Sequence, residues 1–144
     1  MELDTMGRVL TEATVENLED LWEAKRGLRT PDQVRRIVVN DALVDTGAST
    51  LSLPVRLVRQ LGLARRHDKR VTASTGFGLA AVYDAVRLTI GGRDCTVDVM
   101  EVPDNVPVLI GQVPLELLDF VIDPRSQRLI GNPAHGGEHV FELY

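Results

Sequence analysis

The sequence predicts a mainly β domain, on three observations. Short apolar or alternating runs recur along the chain between turn residues. The three segments with helical spacing are each too short to carry the chain back between parallel strands, as a βαβ unit requires. Residues 106–110 (Val-Pro-Val-Leu-Ile) form a continuous apolar run, consistent with a buried strand. At 144 residues the chain has the length of a single domain.

The elements follow in order. Residues 7–16 alternate weakly through Val9, Thr11, Ala13 and Val15 and predict a first strand. Asn17 reads as a helix N-cap, with Glu19 and Asp20 in the first turn, Lys25 and Arg26 in the last, and Gly27 just beyond. Leu18, Leu21 and Trp22 share the apolar face, and Leu18 and Trp22 read as core or interface packing. Thr30-Pro31-Asp32-Gln33 is a second cap signature that should start only one helical turn, because β-branched residues follow.

From residue 35 the β pattern dominates. Arg36 to Val39 reads as a strand, Asn40-Asp41 as a tight turn and Ala42 to Val44 as a second strand. Pro54 opens a brief helix that Gly62 stops. Residues 70–74 and 79–90 read as two strands around Thr75-Gly76-Phe77-Gly78. Gly91-Gly92 turns the chain into a further strand, Thr96 to Val102. Pro114 starts another short helix, through Leu118. Phe120 to Ile122 and Arg128 to Ile130 read as a hairpin, and His139 to Leu143 as a closing strand.

Composition excludes several function classes. The chain is 44% hydrophobic and 26% charged, an ordinary soluble balance, and its net charge of −5 does not point to nucleic acid. The one basic cluster, Arg65-Arg66-His67-Asp68-Lys69-Arg70, lies between patterned segments and reads as a solvated turn. Cys95 is the sole cysteine and sits in an alternating stretch, where it reads as a small apolar filler. No CxxC or HExxH spacing is present, so neither a metal nor a cofactor is expected. The first residues are acidic, without the pattern of a signal peptide, and no apolar run reaches membrane-spanning length. The expectation is a cytoplasmic protein with no membrane partner.

One stretch carries chemistry. The apolar run Ala42-Leu43-Val44 leads straight into Asp45. A carboxylate at the end of a buried strand is costly unless something uses it. Thr46 offers a hydroxyl, Gly47 lets its amide approach the acid closely, and Ala48 and Ser49 leave room beside it. Alone, such an acid is more readily a turn or cap residue.

Asp45-Thr46-Gly47-Ala48-Ser49 resembles the Asp-Thr-Gly-Ala signature of the single-motif, retroviral-like aspartic proteases. Val108-Leu109-Ile110-Gly111 resembles that family's hydrophobic-hydrophobic-Gly element, followed as there by a short helix. Ser74-Thr75-Gly76-Phe77-Gly78 lies between the two motifs, where the family has its flap hairpin, although it is equally well a plain turn. The likeness covers about residues 35–131.

The resemblance implies an all-β acid-protease fold, a closed β structure with short helices. Within one domain over 1–144, residues 35–144 would be the protease core and 1–34 an N-terminal strand and helix extension. It implies an endopeptidase in which two aspartates act together. As is known for aspartic proteases, carboxylates this close share one proton. The chain has a single Asp-Thr-Gly, so the second acid would be Asp45 of another copy, and the enzyme a homodimer acting on an extended peptide or protein. Thr46 would bond across the axis, Leu109, Ile110 and Gly111 would support the loop, and residues 74–78 would cover the substrate.

Two departures stand out. Ser49 and Gln112 occupy positions where retroviral enzymes often have an Asp and an Arg that pair, and the flap has fewer glycines. Two other classes compete with this one. A dimeric peptide-binding or assembly module with the same fold has no need of an intact Asp45-Thr46-Gly47. A phosphate-handling enzyme needs phosphate loops or an acidic cluster, and the sequence has neither.

Overall fold

The structure, a computed structural model, describes residues 8–73 and 76–142. In chain order the strands are β1 (Leu10–Asn17), β2 (Arg36–Val44), β3 (Leu51–Pro54), β4 (Arg65–Ala73), β5 (Gly76–Ile90), β6 (Arg93–Val102), β7 (Leu109–Ile110), β8 (Phe120–Asp123) and β9 (Arg128–Gly131). The helices are α1 (Leu18–Lys25), α2 (Val55–Gln60) and α3 (Gln112–Leu118), with single 3₁₀ turns at Pro31–Gln33 and Pro133–His135.

Seven strands form one sheet in the order β1-β2-β7-β3-β6-β5-β4, and β1 also pairs with β5. That extra pairing, Thr14↔Thr89 through Asn17↔Val86, closes six strands into a ring and leaves β4 as the free edge of the β4–β5 hairpin. The mainly β expectation is correct. Side chains from around the ring meet in one core, with Val15, Leu51, Leu88, Val99 and Ile110 all at 0% exposure. β8 and β9 form a separate two-stranded sheet.

Local chemistry explains most boundaries. The Asn17 side chain accepts from the Asp20 amide at 3.0 Å and caps α1. Beyond the helix, Gly27 takes φ +77°. Asp20 is nearly fully buried, and Arg35 holds it with Nε at 2.8 Å, Nη2 at 2.9 Å and its own amide at 3.0 Å. This grip ties α1 to the start of β2, and the hydrogen bonds from Arg35 hold the Asp20 carboxyl below its ordinary value against the opposing effect of burial. Gly91 and Gly92, at φ +56° and +79°, form the tight turn that pairs Ile90 with Arg93.

Several elements differ from expectation. Asn40-Asp41 is a bulge inside β2, not a turn: Thr11 faces Ala42 while Ala13 faces Val39, so two residue steps on β1 match three on β2. β3 carries no sequence signature, because all four of its residues are buried and no alternation marks them. The basic run is solvated as expected, but it is a strand, extending the hairpin back to Arg65. β7 is only Leu109–Ile110, since Pro107 lacks an amide and the chain turns through Val106 N to Pro103 O at 3.0 Å. Residues 139–142 form no strand, and Leu143 lies outside the described residues.

Candidate active site

β7 lies between the two strands that flank the Asp45 loop. It runs parallel to β2, with Leu43↔Leu109 and Val44↔Ile110, and antiparallel to β3, with Leu51↔Ile110. The loop 45–50 therefore passes over the end of β7, and the residues leaving β7 meet it from behind. Their amides are spent on loop carbonyls: Gly111 N to Thr50 O, Gln112 N to Ala48 O and Val113 N to Ser49 O, each at 2.9 Å. At the front of the loop the Asp45 amide donates to Ile110 O at 2.9 Å.

Gly111 is required at its position. A Cβ there would stand 2.5 Å from Thr50 O and 2.7 Å from Ala48 O, closer than any side chain is tolerated. Leu109 is half-buried and Ile110 fully buried under the loop. Of the three residues read from sequence as loop support, Ile110 accepts from the Asp45 amide and Gly111 donates to Thr50, while Leu109 pairs with Leu43 and Ser52 on the flanking strands.

The acid itself is half-buried. Its Oδ1 accepts from the Gly47 amide at 2.9 Å, and the Ala48 amide donates to its carbonyl at 3.0 Å. A Cβ at position 47 would stand 3.2 Å from Oδ1, so glycine gives the amide an unobstructed approach. Thr46, Gly47 and Ser49 are exposed, so the rim of the loop faces outward.

No side-chain hydrogen bond joins Ser49 and Gln112 in place of the family's ion pair. The Gln112 side chain donates to Glu116 at 3.1 Å, and the backbone bonds above replace the missing ion pair. Sequence reasoning missed a further tie. The Thr50 hydroxyl donates to Asp98 O at 2.9 Å, and the Asp98 carboxylate accepts from Arg66 at 3.3 Å. That chain runs from the loop through β6 to the root of the β4–β5 hairpin. Only the register of β3 on β6 creates it, so no local pattern announces it.

Of the flap residues, Gly76, Phe77 and Gly78 belong to β5 and pair with Ala73, Thr72 and Val71. Ser74 and Thr75 lie outside the described residues. Phe77 is 86% exposed and Leu79 70% exposed. The filler reading of Cys95 agrees with its surroundings: it is half-buried, and burial followed by the neighbouring Asp94 pushes its thiol up to about 11. Trp22 is half exposed rather than core, whereas Leu18 is buried. Among the described residues no group of His, Cys, Asp and Glu is arranged to hold a metal ion, and no helix is long and apolar enough to cross a membrane.

A closed, mostly β structure with an Asp-Thr-Gly loop hung between two strands over a third has the architecture of the acid-protease fold. Comparison with known families agrees: the family model described as aspartyl protease matches residues 36–113, and the chain belongs to that family. No curated protein sequence matches the chain.

Proposed function

We propose that the protein is an aspartic endopeptidase active as a homodimer, with Asp45 from each copy forming the catalytic pair. The observation that carries this is the built loop with a single acid. Asp45 is held by the Gly47 amide on one oxygen, and the loop is fixed from behind by Gly111, Gln112 and Val113. The family's chemistry needs two such acids, and the sequence contains one Asp-Thr-Gly. The whole chain acts as one domain, in which residues 1–34 add a strand and helix to the core at 35–144.

In the pair, one carboxylate is ionised and takes a proton from a water, whose oxygen attacks the scissile carbonyl carbon. The other carboxylate is protonated and donates to the carbonyl oxygen. The tetrahedral intermediate then collapses, a proton moves to the leaving nitrogen, and the carbon–nitrogen bond breaks. The two acids titrate as a unit. Thr46, exposed beside the acid, bonds across the two-fold axis, and Ser74 to Gly78 of the β4–β5 hairpin cover an extended peptide bound strand-like. No cofactor is involved. The setting is cytoplasmic.

The test is Asp45→Asn. It should abolish cleavage of a peptide library and leave thermal unfolding and native mass unchanged. Retained cleavage refutes the assignment. A monomeric native mass at active concentrations refutes the dimer.

A further inference from the structure

The residues after β9 return to the end of α3 and are fastened there by one histidine between two carboxylates. Asp119 ends α3 in a left-handed conformation (φ 57°) and is 7% exposed. Its Oδ2 lies 2.7 Å from His135 Nδ1 and accepts from the Val140 amide at 3.1 Å, and its Oδ1 accepts from Asn132 at 3.2 Å. The other ring nitrogen, His135 Nε2, lies 2.9 Å from Glu142 Oε1. Arg93, from β6, donates to the carbonyls of Leu118 at 3.0 Å and Asp119 at 2.8 Å and to that of Gly137, and it lies over the Phe120 ring. His139 reaches the Leu117 carbonyl at 2.9 Å.

A neutral imidazole has one N–H and one lone pair, so it donates to one carboxylate and turns its lone pair on the other. The imidazolium donates to both. We infer that His135 is a proton-operated latch that holds the segment 136–142 against the end of α3 when protonated and lets it go when neutral.

Release frees the Val140 amide from Asp119 and uncovers Val140 and Phe141, already 39% and 67% exposed. The charged and titratable groups around His135 are Asp119, Glu142, Arg93 and His139. The two carboxylates favour the imidazolium and partial burial opposes it. The balance agrees with the geometry: Glu142 first, then Asp119, raise the His135 value above the ordinary one. Burial pushes Asp119 up, but the hydrogen bonds from His135, Val140 and Asn132 carry it below its ordinary value overall. The latch is therefore closed from the acid range upward and opens as pH rises through the raised histidine value. This inference does not rest on the proposed catalytic activity.

The test follows the Val140 amide by hydrogen exchange and the His135 ring by NMR in the full chain, from about pH 5 to about pH 9. After correction for intrinsic exchange, Val140 should lose protection about tenfold or more as the ring titrates, while the core amide of Val99 keeps its own. Glu142→Gln, at an exposed side chain, should move the ring midpoint to lower pH. His135→Phe should remove the pH dependence of Val140. The inference is overturned by a Val140 amide that ignores the ring titration. It is equally overturned by Val99 opening together with Val140, or by a midpoint unmoved in Glu142→Gln, which decides the matter if His135→Phe does not fold.

Discussion

The Gly111 amide donates to the Thr50 carbonyl at 2.9 Å, and a Cβ at position 111 would stand 2.5 Å from the same oxygen. The bond that holds the acid's loop and the space that admits it are one contact. Gly111→Ala is therefore expected to push the loop off β7. It should cost about 2 kcal/mol or more in urea unfolding. Cleavage should fall about 100-fold because the acid is displaced.

The loop is held by backbone donors where retroviral relatives use an ion pair. Ser49→Asp combined with Gln112→Arg should accordingly add little. Both positions are exposed, so a double-mutant cycle should give a coupling of about 0.2–1 kcal/mol, with peptide cleavage unchanged.

Arg35→Ala leaves the buried Asp20 with the amide of residue 35 and, as its remaining charged partner, the more distant Arg29 at 3.5 Å. The loss should be about 2 kcal/mol, less than for a fully buried pair because Arg35 is itself 46% exposed. Asp20 titrates lower in the folded chain than in the unfolded one. Its contribution is thus complete above the ordinary carboxylate value and is lost as pH falls through the lowered value. Thermal unfolding against pH should show a shallower acid limb in Arg35→Ala than in the parent.

Cys95, with its thiol pushed up to about 11, should resist alkylation in the folded protein. Iodoacetamide near pH 8 should label it about 100-fold more slowly than a free thiol and at the ordinary rate in denaturant. Fast native labelling would contradict the burial.

Statine-type peptides, which mimic the tetrahedral intermediate, should bind about 100-fold or more tighter than a substrate of matching sequence. Calorimetry should show that advantage lost in Asp45→Asn.

The β class and the acid were legible because each has a local signature. Asp45-Thr46-Gly47 is contiguous, Asn17 caps its own helix, and Gly91-Gly92 makes its own turn. The reading failed where burial or register decides. Leu51–Pro54 is buried on every residue and shows no period, Asn40-Asp41 is absorbed by a bulge that only β1 reveals, and the Thr50–Asp98–Arg66 tie joins three distant segments. The His135 cluster was invisible for the same reason, since its members come from α3, the turn at Pro133–His135 and the segment beyond.

The position of β7 has a consequence for synthesis. Asp45 leaves the ribosome before residues 109–113, which supply the strand it rests on and the three amides that hold its loop. An unfinished chain therefore carries the acid without the platform, and contacts this far apart in sequence form late. The loop of Asp45 gains its support only once residue 113 has emerged, an order of assembly written into the order of the strands.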